Sequence, residues 1–125
     1  MRLFFALSLG LALLAGFSRP VAAQASRPVA YEFMTLSLVE SPYAVDTRLL
    51  LTPAFKGQSE VKLEEVYNLS ASKYREHLQH NTQLLNQTLG ELSEAGWELV
   101  NVQASSVGST QAASVTRYLL RKPRP

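Results

Sequence analysis

The chain has 125 residues, no cysteine and a formal net charge of +2. That length excludes a multidomain protein, and the absent cysteine excludes a disulfide scaffold, a thiolate metal site and a cysteine nucleophile. No cysteine follows the N-terminal apolar run either, which excludes a lipidated lipoprotein.

Met1-Arg2 opens with a positive charge, and Leu3 to Phe17 is an uncharged, mostly apolar run. Ser18-Arg19-Pro20 breaks it, and Ala23-Gln24-Ala25 supplies the small residues a signal peptidase needs. The layout predicts a secretory signal peptide over residues 1–25 and a single small domain over 26–125. The apolar run falls short of the roughly 20 residues a membrane span wants, so no stable span is expected after cleavage. Removing Arg2 and Arg19 from the 12 basic residues leaves as many basic as acidic residues, of which there are 10. The basic sequence pI therefore stems from the leader, and nucleic-acid binding loses its electrostatic basis. An exported domain of this size must hold itself together by packing alone, and one sheet covered by one helix is the simplest solution.

Val29 to Glu40 alternates as a strand. Met34, Leu36 and Leu38 form its core face; Tyr31, Phe33, Thr35, Ser37 and Val39 form the other. Arg48 to Thr52 reads as a second strand stopped by Pro53. Lys56-Gly57-Gln58 signals a turn into a short strand over Ser59 to Leu63. Glu64 to Leu69 fits either strand or helix.

Ala71 to Ala95 reads as the main helix. Its apolar stripe is Tyr74, Leu78, Leu85, Leu89 and Leu92, with Asn81 in the missing step. Ser70 or Ser72 can cap its start, and Gly96 can close its end. A helix of this length would run about 37 Å, so a split at His80-Asn81-Thr82, with Asn81 as a second cap, is an alternative. Trp97 to Ala104 reads as a strand with Trp97, Leu99 and Asn101 on one face and Val100, Val102 and Ala104 on the other. A polar loop from Ser105 to Ala113 joins it to a last strand from Ser114 to Lys122, and Pro123 and Pro125 end the pairing. The predicted fold class is α+β: an antiparallel sheet of three to five strands with one long helix packed on one face.

Three segments together resemble a known family: Tyr31-Glu32-Phe33-Met34, then Leu89-Gly90-Glu91-Leu92 running through Gly96-Trp97-Glu98-Leu99-Val100, then Arg117-Tyr118-Leu119-Leu120-Arg121-Lys122. The chain resembles the DUF4177-like small domains of unknown function, as a secreted bacterial member. The likeness covers the two ends of the domain best, with Arg48 to His80 resembling an insertion. It implies the same α+β fold and brings no catalytic residue with it.

The residues offer little for catalysis. His77 and His80 lie at i and i+3 on one side of a helix, but no third ligand is spaced to join them, so two solvated histidines and no metal are expected. No nucleophile elbow and no glycine-rich phosphate cradle occurs, so no catalytic residue and no cofactor is assigned. Glu64-Glu65 diverge on a helix, and the Asn68 and Asn86 glycosylation patterns fall in expected helix. The remaining candidates are contact residues: Tyr31 and Phe33 on the second face of the first strand, and Arg117 and Arg121 on one face of the last. They point to an exported, non-catalytic binding or structural module. Its partner would be an envelope protein or another copy of the chain, with a small periplasmic enzyme or an enzyme inhibitor acting through the Ser105–Ala113 loop as the alternative.

Overall fold

A computed structural model describes residues 27–43, 46–107 and 113–125. The expected leader, residues 1–25, and the centre of the Ser105–Ala113 loop lie outside them. Five strands and one helix follow in chain order: β1 (Tyr31–Glu40), β2 (Arg48–Phe55), β3 (Gln58–Lys62), α1 (Ala71–Glu94), β4 (Glu98–Val107) and β5 (Ala113–Pro123). The strands form one antiparallel sheet in the order β3-β2-β1-β5-β4. The predicted α+β class holds: the single helix packs against one face of that sheet.

The core is where alternation put it on β1. Met34 and Leu36 are buried beside Leu49 and Leu51 of β2, Leu120 of β5, and Leu92 of α1. Leu38, Leu85, Leu89 and Trp97 pack around them. No residue of β4 belongs to this cluster.

Proline does not stop β2 as expected. The strand runs through Pro53, which follows a cis peptide bond, to Phe55. Pairing with β1 reaches only Thr52, and pairing with β3 is interrupted between Leu50 and Phe55. Pro53 thus sits where the ladder asks for no N–H. The turn into β3 places Lys56 and Gly57 at positive φ, 50° and 75°, the backbone of a two-residue hairpin turn.

The segment after Lys62 is neither strand nor helix until Ala71. It is an irregular strap whose ends are fixed by side chains. Thr47, fully buried, accepts from the Ser41 N–H and returns its hydroxyl proton to the Ser41 carbonyl, both at 3.2 Å. The Thr47 carbonyl accepts from the Leu63 N–H at 3.1 Å. Leu63 and Val66 are buried beneath the strap.

α1 is continuous, so Asn81 caps nothing. It is buried, and its amide closes a two-bond clasp on the strap: the Glu64 N–H donates to Oδ1 and Nδ2 donates to the Glu64 carbonyl, each at 2.8 Å. Ser70 is the N-cap, its Oγ accepting from the Lys73 N–H at 3.4 Å. At the other end the Trp97 N–H donates to the Leu92 carbonyl and the Gly96 N–H to that of Ser93, with Gly96 at φ 93°. This is the paired bond set of a Schellman cap, which needs a left-handed residue at that position. The first two turns of the predicted apolar stripe are not core: Tyr74 and Leu78 are exposed, and only the C-terminal half of the stripe reaches the sheet.

Candidate functional site

The sheet has two unlike faces. α1 covers the face of Met34, Leu36, Leu49, Leu51 and Leu120. Among the described residues, no helix lies against the other. Its side chains follow from the register: Phe33 opposite Arg121, Thr35 opposite Leu119 and Thr52, Ser37 opposite Arg117 and Leu50.

This open face gathers all four expected contact residues. Phe33 and Arg121 are direct cross-strand partners; Tyr31 lies two residues from Phe33 on β1, and Arg117 lies four residues from Arg121 on β5, opposite Ser37. The Tyr31 and Phe33 rings lie 6.4 Å apart and tilted by 49°. The Arg121 guanidinium stacks over the Tyr31 ring at 4.4 Å and ion-pairs with Glu98 of β4 at 3.1 Å. A cation over a ring face is held by the ring quadrupole while it keeps its outer hydrogen-bond donors. Phe33 is 55% exposed. Arg117 is exposed and has no ion pair among the described residues. The four therefore differ in what they offer: Tyr31, Arg121 and Glu98 form a braced group with the Phe33 ring tilted against Tyr31, whereas Arg117 presents a cation without an ion pair among the described residues.

Sequence alternation assigned Tyr31 with Phe33, and Arg117 with Arg121, each within its own strand. The adjacency of β1 and β5, which unites the pairs, was not readable. It depends on β5 inserting between β1 and β4 rather than adding at an edge. Glu98 had no signal either, because its partner is 23 residues away.

The other candidates are placed as follows. Trp97 packs against the core at the helix end, with Lys122 over its ring at 5.9 Å. His77 is half-buried rather than solvated: its Nδ1 lies 2.7 Å from the Glu65 carbonyl, a bond that helps α1 hold the strap. His80 is exposed. Among the described residues no cluster of histidine, aspartate and glutamate is grouped to hold a metal, and no helix is long and apolar enough to cross a membrane.

One titratable group on the helix side is perturbed. Burial, and secondly the negative charge of Glu40, raise the Tyr118 phenol above its ordinary pKa of 10.0. The native state then keeps a proton that the unfolded chain releases, so the contribution to stability is full below about pH 10 and is lost as the pH climbs further. Tyr118→Phe should flatten the alkaline limb of the stability profile above about pH 10. An unchanged slope in urea melts across that range would show that the phenol is not its cause.

Compared with known protein families, curated proteins and solved structures, the chain gives no match.

Proposed function

We propose that the protein is an exported, non-catalytic binding module of the bacterial envelope, related to the DUF4177-like domains, that meets its partner through the open sheet face. The supporting observation is the placement of Tyr31, Phe33, Arg117 and Arg121 on one sheet face that no helix covers among the described residues, with Phe33 exposed and Arg117 without an ion pair. An exposed ring on β1 and, four residues beyond its cross-strand partner on β5, a guanidinium without an ion pair suit an acidic protein segment that also brings an apolar side chain. The leader-like first 25 residues support export.

The test is quantitative capture from envelope extract with the full chain and with Phe33→Ala and Arg117→Glu variants, after mild crosslinking. Each substitution is expected to weaken retention of the same partner by about tenfold or more, the usual scale for an interface anchor. A partner retained equally by both variants would move the contact off this face.

A further inference from the structure

The two edges of the sheet are built differently. β3 is an edge of five residues, carries Glu60 and Lys62, and ends at the Lys56-Gly57 turn. Shortness and charge are the usual guards against strand addition. β4, the opposite edge, has ten residues. From Leu99 to Thr116 the sequence contains no charge and no proline. A strand of ten residues offers about 33 Å of edge.

Three exposed apolar side chains lie close together along this same edge. Leu99, Val100 and Val102 are 48%, 46% and 48% exposed. A register shift between Leu99 and Asn101 turns Leu99 to the helix side, where it shares a face with Val102 and Ala104, while Asn101 and Gln103 point to the open side. Each face of β4 is thereby sorted, apolar toward α1 and amide-bearing away from it. Between α1 and this edge lies a cavity of about 340 Å³ lined by Leu89, Ser93, Trp97, Glu98, Leu99 and Leu120.

We propose that β4 is a self-pairing edge: two copies of this chain join β4 to β4, antiparallel about a two-fold axis normal to the sheet. The sheet then continues across both copies, with both helices on the same side. The occupant is a second copy for three reasons. An antiparallel strand is self-complementary, since one two-fold operation matches its outward N–H and C=O groups to those of its twin. The sorted faces match themselves, with Val102 meeting an apolar neighbour on the helix side and Asn101 and Gln103 meeting amides on the other. Between Leu99 and Val107 there is no charge, so no like pair is brought together along that stretch and a charged partner finds nothing to recognise there; Glu98, at the start of the strand, is held by Arg121. The guarded β3 edge cannot serve as the complement, so the contact closes as a pair and does not grow into a filament. This edge lies on β4, whereas Phe33 and Arg117 lie on β1 and β5; the two adjoin only where Gln103 sits opposite Arg117, and the inference does not rest on the proposed partner contact.

The contact belongs to the smaller specific interfaces, under about 1,200 Å² in total, so association at micromolar concentration is expected. Sedimentation of the full gene product, in whatever processed form the cell yields, should show a monomer–dimer equilibrium between about 1 and 200 μM. Val102→Lys places like charges at the pairing edge and should raise the dissociation constant by about tenfold or more. Asn101→Lys, opposite the uncharged Leu119, should act alike from the other face, and the neutral strand-former Val102→Thr should keep the dimer. Circular dichroism of each variant separates loss of pairing from loss of fold. The absence of native cysteine provides a second reading. Single cysteines at Asn101, Val102, Gln103 and Ala104 are introduced in turn; at least one should form a disulfide-linked dimer, and one at Ser59 on β3 should not. A monomer throughout that range overturns the proposal. So does a dimer indifferent to both lysines and crosslinked by Phe33→Cys instead, which would place self-association on the open face. Partner capture by the Phe33 and Arg117 variants is read separately, so either idea can fail without the other.

Discussion

Leu92→Ala should destabilise the protein by about 2–5 kcal/mol, the range for large-to-small changes in a core that cannot collapse. Leu92 is 0% exposed and is the only fully buried residue that α1 contributes to the core cluster. It sits against the strands of Met34, Leu36, Leu49 and Leu120. Its carbonyl also accepts the Trp97 N–H of the helix cap, so a shift of the helix to refill the space would strain that bond. The rigid cap keeps the cavity open. A domain of about 100 residues has roughly 5–15 kcal/mol of stability in all, so this one change removes a large share. The thermal midpoint should drop by about 10–20 °C. A loss under about 1 kcal/mol in urea melts would mean that the helix slides to fill the gap.

The second large effect is expected at Asn81. Its amide satisfies both backbone groups of Glu64 at 2.8 Å, in a segment with no ladder of its own. Asn81→Ala strands a partly buried N–H and a carbonyl at about 1–3 kcal/mol each before relaxation, so about 2–4 kcal/mol in total is expected. Asn81→Leu discriminates the cause. If the position served as one step of an apolar stripe, leucine would match or exceed the native stability. If the clasp is what counts, leucine fails almost as badly as alanine. Hydrogen exchange adds a local readout, because the Glu64 amide should lose protection in both variants.

Asn81 also marks the limit of what the sequence discloses. Periodicity located the helix, and the flanking Ser70 and Gly96 located its ends, because caps and stripes are local signals. A polar residue in an apolar step has two explanations, a helix break or a buried hydrogen-bond partner. The partner here is a backbone 17 residues earlier, which leaves no trace in composition. Pro53 misled for a related reason. It forbids a ladder bond, but whether a ladder passes that point depends on how β1 and β3 end against β2. Strict alternation also failed on β4. One irregular residue between Leu99 and Asn101 reverses which side chains face the helix, and a strand of small uncharged residues gives no warning of it.

The open face was half legible. Two aromatic and two basic residues could each be assigned to a strand face, but their union required the order β2-β1-β5-β4, which is a property of the whole sheet. The difference between β3 and β4 was written in the sequence as charge against its absence. It acquires meaning only once both strands are known to be edges.

The pairing of β1 with β5 fixes how the domain sits under load. The two strands match along ten residue pairs, from Tyr31 with Pro123 to Glu40 with Ser114, and the Arg124 N–H donates to the Ala30 carbonyl at 2.8 Å. Residues 30 and 124 therefore lie side by side at one corner. Tension drawn between those two points would peel the central strands apart one pair at a time, instead of shearing ten pairs together. Chemical stability and mechanical resistance are thus uncoupled in this fold: the leucine core guards against denaturation, while a pull at that corner meets a single hydrogen-bonded pair at each step.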